Sequence, residues 1–325
     1  VTLFLLICGL AFLLAGGVAL VTGASAIATR LGVPPLVVGL TVLAFGTSSP
    51  ELVVNIIGAV RGETELAFGN VAGSNLANLG LVLGMAAAFR PVSIHGTVVR
   101  RELPLLLLGT TILVVMMLDR PLMGEAPILT RSDGLILLLL FSVFVYITAG
   151  DLLFKDEDAL INDVRELEET LPRGAVMTMR QGALYCGLGI IGLGLGGHLT
   201  IVYGSEFATD LGVSPVVVGI LVVGIGTSLP ELVTSIIAAI RNECDLCVGN
   251  VVGSNIFNSL VVLPVSALVR PLPIPPGGLL DVVIGLLFAA IIIPIFLYGK
   301  ARMDRYTGVV FILVYAGYVG MRATA

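Results

Sequence analysis

Charge is what this chain has least of. Of its 325 residues only 12% are Asp, Glu, Lys or Arg; there are two His, four Cys and no Trp. A soluble domain carries about a quarter charged residues, so a water-facing surface is excluded over most of the length. No basic cluster is present to neutralise a nucleic acid backbone. Four scattered Cys cannot frame a disulfide scaffold, and Cys244-x-x-Cys247, with no second pair, is a poor zinc site. The glycine run "GLGIIGLGLGG" at 187–197 follows no strand, so it is not a dinucleotide fingerprint. No cofactor is implied, and no nucleophile set marks an enzyme.

What is present is apolar. Hydrophobic residues make up 57% of the chain, and the mean hydropathy is +1.08. A bilayer span needs about 20 mainly apolar residues. Ten such runs fall at 3–28, 34–60, 66–88, 102–118, 134–150, 182–205, 214–240, 246–268, 279–299 and 306–322. They are continuous and lack a period of two, which predicts an all-α membrane protein of about ten transmembrane helices rather than a barrel. The first run has neither a basic leader nor a small-residue cleavage site, so it reads as a helix and not a signal peptide. With the N-terminus outside, the inner loops hold 12 of the Lys and Arg residues and the outer loops 5. That bias places both termini outside and residues 151–180 in the cytoplasm.

The chain contains one unit written twice. Residues 46–80 align without a gap to 226–260, with 20 of 35 positions identical at a constant offset of 180. The match extends through 31–84 and 211–264, giving two five-helix repeats, 1–150 and 181–325, joined by an acidic cytoplasmic linker at 151–180. The linker's Leu160, Val164 and Leu167 have a helical spacing, and Asp156, Glu157 and Asp158 form its acidic start. A repeat with an odd number of spans enters on one side and leaves on the other, so its copy sits upside down. Inverted repeats are an arrangement of secondary transporters.

Each repeat carries a helix breaker and a carboxylate at the middle of its second span: "GTSSPE" at 46–51 and "GTSLPE" at 226–231. Pro50 and Pro230 donate no N–H, which predicts broken second and seventh helices with carbonyls freed near Gly46, Thr47, Gly226 and Thr227. Glu51 and Glu231 are the acids placed deep in the spans, where an unpaired carboxylate costs at least about 2.5–3.5 kcal/mol. The next span of each repeat brings amides: Asn70, Ser74, Asn75 and Asn78 in one, and Asn250, Ser254, Asn255 and Asn258 in the other. Gly69/Gly73 and Gly249/Gly253 form GxxxG pairs suited to close helix approach. Every candidate ligand is an oxygen, which suits a hard cation; two bidentate Glu and two carbonyls give about six donors, within the range of Ca²⁺. Two carboxylates about 6 Å apart would repel by about 3 kcal/mol at an effective dielectric near 20, so a divalent cation, several Na⁺ or a proton must compensate them. Ion-compensated crossing is antiport.

The doubled GTS-x-PE and GN-V-x-GSN-x-x-N strings resemble the two alpha repeats of the cation/calcium exchanger superfamily, most closely its prokaryotic sodium/calcium exchangers. The resemblance covers the whole chain. It implies exchange of Ca²⁺ for Na⁺ by alternating access in a prokaryotic plasma membrane, with long first and sixth helices that slide, and function as a monomer is compatible with it. It implies Ca²⁺ on Glu51, Glu231 and the carbonyls of Thr47 and Thr227. Sodium would use Ala44, Thr47, Ser48, Ser74, Glu51 and Asn78 in one half, and Gly224, Thr227, Ser228, Ser254, Glu231 and Asn258 in the other. Asn75 and Asn255 border both sets. The sequence departs from well-known members at Asn258, where they have Asp, which opens the counter-ion and the stoichiometry. "GSN" argues against the proton-coupled members, so Ca²⁺/H⁺ antiport is the alternative and a passive cation channel a further one.

Overall fold

The computed structural model describes residues 2–93, 98–119, 124, 126–153, 177–210, 226–298 and 301–324. Its helices follow the apolar runs in order: α1 (Thr2–Leu31), α2 (Pro35–Arg61), α3 (Thr64–Phe89), α4 (Val98–Glu102 continuing into Leu103–Met116), α5 (Arg131–Leu153), α6 (Met179–Asp210), α7 (Leu229–Ile240), α8 (Cys244–Val269), α9 (Gly278–Tyr298) and α10 (Arg305–Thr324). Seven of them, α1, α2, α3, α5, α6, α8 and α9, are long and apolar enough to cross a membrane. Residues 154–176, with the linker helix and acids expected there, and 211–225, with Gly224 and the first part of the seventh run, lie outside the described residues.

Burial sorts the helices into a centre and a rim. In their most apolar windows α8 is 83% buried and α3 72%, against 33% for α1 and 28% for α6. The GxxxG residues of α8 account for part of this. A Cβ at Gly249 would stand 2.7 Å from the Leu36 carbonyl oxygen, and one at Gly253 2.8 Å from Leu40 Cα, so only glycine lets α2 seat here. The rim helices α1 and α6 pack on each other through another glycine seam, where a Cβ on Gly189 would meet the Leu20 backbone nitrogen at 2.6 Å.

The two halves interlock as an inverted pair. Asn75 Nδ2 donates to Ser259 Oγ (2.7 Å) and Asn78 Nδ2 to Asn255 Oδ1 (3.1 Å), so α3 ascends as α8 descends and the two cross antiparallel. Four short strands repeat the exchange: β1 (Val92–Ser93) pairs with β4 (Arg302–Met303), and β2 (Ile128–Leu129) with β3 (Leu272–Pro273), all antiparallel. β1 and β3 are equivalent positions of the repeat, and each pairs with the other half. Likewise Arg90 Nη1 caps the last turn of α7 at the Ile240 carbonyl (2.9 Å), while its counterpart Arg270 lies over Gly62, just past the end of α2.

The two breakers act differently. In the second repeat the chain turns at Thr227 and Ser228, and α7 starts anew with Pro230 in its first turn, where a missing N–H costs nothing. In the first repeat Pro50 lies inside a helix that continues from Ala44 to Arg61, and the irregularity is a π stretch at Gly39–Leu43. Ser49 Oγ donates to the Phe45 carbonyl at 2.5 Å, one residue before the Gly46 carbonyl that Pro50 leaves without an N–H. Matching π stretches open at Asn78 and Asn258 in α3 and α8, a distortion frequent at functional sites.

Candidate functional site

The sequence determines the depth of the site and the packing determines its direction. Glu51 and Glu231 are 1% and 0% exposed. They project from α2 and the first turn of α7 into the space between those helices, α3 and α8. Ser48 Oγ donates to Glu231 Oε1 at 2.8 Å, which ties the two repeats together one helical turn before Glu51.

Many polar atoms of the candidate residues are not used elsewhere. Both carboxylate oxygens of Glu51, Glu231 Oε2, Ser74 Oγ, Ser228 Oγ, Asn75 Oδ1, Asn78 Oδ1, Asn258 Oδ1 and Asn258 Nδ2 are buried with no hydrogen-bond partner among the described residues, as are single oxygens of Glu102, Thr148, Thr200 and Thr234. Buried polar groups are otherwise satisfied in nine cases of ten or more, and each orphan costs about 1–3 kcal/mol. That nine of these thirteen atoms belong to the candidate residues marks a cage whose bonds are completed by something other than the protein.

The remaining candidates are distributed around the cage. Thr47 Oγ1 donates to Asn250 Oδ1 (3.2 Å) and stands 3.5 Å from Ser254 Oγ; Ala44 is fully buried, its carbonyl 3.4 Å from the same hydroxyl. Thr227 is only partly buried and lines a cavity of about 430 Å³ that reaches the turn at Arg61 and Glu63 past Asn55 and Asn70. Asn255 is spent between helices, accepting from Asn78 and donating to the Asn75 carbonyl at 3.2 Å, while Asn75 donates to Ser259 and keeps its Oδ1 unpartnered. Gly224 lies outside the described residues.

Two residues beside the site, Asn55 and Ser235, and one buried acid not linked to it, Glu102, had not been singled out. Asn70 Nδ2 donates to Asn55 Oδ1 (2.7 Å), and Asn55 Nδ2 to the Ala67 carbonyl (2.9 Å). The equivalent pair is Asn250 Nδ2 to Ser235 Oγ at 3.0 Å. Asn55 and Ser235 each stand four residues after the repeat's Glu, on the same helical face, so their spacing was a usable signal. The third is Glu102, also 0% exposed, whose Oε1 accepts from Arg101 Nε at 2.8 Å. It begins the fourth apolar run, where an acid reads as a boundary residue, so its burial was invisible in the sequence.

An all-oxygen cage with two carboxylates, no thiolate and no imidazole can hold hard cations and has no nucleophile for covalent chemistry. Comparison with known proteins agrees. The family described as sodium/calcium exchanger protein matches residues 1–150 and 182–324. Sodium/calcium exchanger MaX1 of Methanosarcina acetivorans is 30% identical over 345 residues, covering 98% of this chain and 97% of that protein. Inner membrane protein YrbG of Escherichia coli is 36% identical over 275 residues, 84% of this chain and 81% of that one. The sodium-calcium exchanger NCX_Mj has the same fold, with a TM-score of 0.80, 26% identity and 98% of each chain covered. Fold, cage and kinship together make this chain a member of the sodium/calcium exchanger family, an integral membrane cation antiporter and not an enzyme.

Proposed function

We propose that the protein exchanges Ca²⁺ for Na⁺ across a prokaryotic plasma membrane, with both termini outside and with residues 1–150 and 181–325 acting as the two inverted repeats. Ca²⁺ is held by Glu51 and Glu231 with the carbonyls of Thr47 and Thr227. Sodium is held by Ala44, Thr47, Ser48, Glu51, Ser74 and Asn78, and by Gly224, Thr227, Ser228, Glu231, Ser254 and Asn258. The observation that carries this reading is the set of buried, unpartnered oxygens around two carboxylates. The printed name of MaX1 and the oxygen-only donor set support it.

Charge balance fixes the load. The cage has two carboxylates, and Asn258 supplies an amide rather than a third acid. Moving a net charge through a dry site is costly, so the loads that cross are those that neutralise the pair: one Ca²⁺ or two monovalent cations.

Proteoliposomes test the reading. Calcium uptake driven by an outward Na⁺ gradient is the expected result. Uptake driven only by a pH gradient would replace Na⁺ with H⁺ on the same scaffold, and uptake that needs no counter-ion would make the protein a channel.

A further inference from the structure

Behind the cage, on the side of α3 turned away from Gly69 and Gly73, four helices enclose another space. Asn75 follows Gly73 by two residues, about 200° around the helix. With Asn255 and Ser259 of α8, Thr110 of α4, and Asp281 and Gly285 of α9, it lines a cavity of about 20 Å³. A single water needs about 10–15 Å³, so the space admits one. Gly285 supplies the room: it is buried, and among the described residues nothing lies within 4 Å of a Cβ placed on it.

The polar atoms on the wall match a water. Asn75 Nδ2 donates to Ser259 Oγ (2.7 Å), but Asn75 Oδ1 is buried with no partner among the described residues. The Ser259 hydroxyl accepts that bond and, among the same residues, has no acceptor for its own hydrogen. Thr110 Oγ1 donates to the Leu106 carbonyl (2.8 Å) and accepts from none of them. That leaves two acceptors and one donor, and a buried water makes about three bonds. A metal ion fits poorly. Hard cations take about six oxygens or more, and the carboxylate here, Asp281, is spent on Tyr318 and Arg322. Repeat symmetry does not account for the set, since positions 180 residues away hold Leu79 for Ser259, Ala290 for Thr110 and Leu105 for Gly285.

We propose that Asn75, Ser259 and Thr110 hold one buried water, and that this water ties α4 to the crossing of α3 and α8 and so positions the cage oxygen of Asn78. The water donates to Asn75 Oδ1 and Thr110 Oγ1 and accepts from Ser259. At the same crossing, Asn255 donates to the Asn75 carbonyl and accepts from Asn78 Nδ2, which leaves Asn78 Oδ1 for an ion. Thr110 and Ser259 are thus positioning residues that touch no ion. The role of Asn78 rests on the antiport reading above; the water does not.

Gly285→Ala tests the water, because its methyl group takes the space. In a hydrated cavity the variant strands Asn75 Oδ1 and should melt in detergent at a lower temperature than the parent. A dry cavity gives the reverse: the methyl fills a void and replaces glycine within a helix, so the melting temperature would rise. Thr110→Val, which keeps the shape and removes the hydroxyl, should also lower it. The double variant should lose less than the sum of the two, because both act on one water. A value unchanged or raised in either single variant overturns the proposal, and so do additive losses. The sodium dependence of calcium uptake tests the positioning. Half-saturating Na⁺ should rise roughly three- to ten-fold in Gly285→Ala, the size of one hydrogen bond, with half-saturating Ca²⁺ unchanged because Asn78 belongs to the sodium set alone. A lower melting temperature with parental Na⁺ dependence would overturn the positioning role. Absence of Na⁺-driven uptake in the parent would tell against the antiport reading instead, and the melting temperatures judge the water without it.

Discussion

At the scale of single residues, the cage depends on two negative charges in a place without water. Glu51→Gln or Glu231→Gln leaves one carboxylate to face a divalent cation, and removing one partner of a buried charge interaction costs about 3–5 kcal/mol. Calcium flux in proteoliposomes should fall by at least about 100-fold for either variant. Asn258→Asp acts in the opposite sense. It adds a third charge to a site balanced for two, so the loads that neutralise it change: exchange that is electroneutral in the parent should become sensitive to a potassium-diffusion potential set with valinomycin. Unaltered voltage independence in that variant would mean that the new carboxylate is protonated or faces away from the ions.

At the scale of elements, glycine decides which helices can touch. Gly249 and Gly253 admit the backbone of α2 at one end of the bundle. Gly249→Val should therefore overpack the α2–α8 contact and lower stability by about 1–3 kcal/mol, read as a lower melting temperature in detergent. An unchanged melting temperature would show that the α2 backbone can withdraw from Gly249 at no cost. The same scale separates the two prolines. Pro230 opens a new helix after a turn, whereas Pro50 lies inside a continuous one that follows a π stretch at Gly39–Leu43.

For the whole molecule, the reciprocal strand pairs β1–β4 and β2–β3 and the antiparallel crossing of α3 and α8 mean that neither half completes the site alone. The charge asymmetry of the loops sets the sidedness, with 12 basic residues assigned inside against 5 outside. Reporter fusions at either terminus should be active only outside the cytoplasm, and one inserted in the 154–176 segment only within it. The opposite pattern would reverse the assigned orientation while leaving the cage intact.

The sequence by itself determined the number and order of the spans, the inversion of the halves and the depth of the two carboxylates. Each follows from local chemistry: the length of an apolar run, the parity of a five-span repeat, the position of a Pro-Glu pair within its helix. Asn55 and Ser235 were legible in the same way, by their fixed spacing from Glu51 and Glu231. Only the tertiary structure decided which oxygens are spent and which are left over, because a hydrogen bond depends on who stands opposite. Asn255 spends both ends of its amide in joining α3 to α8, whereas Asn75 and Asn78 spend only Nδ2 and Asn258 neither atom, so their oxygens are left over. It also decided that Glu102 is buried on Arg101, and that two nearly identical motifs lie in unlike surroundings. The two copies are identical at 20 of 35 positions, so the motif alone does not separate their surroundings. A fold that passes ions must hold its copies in different states, and that choice is made in the packing.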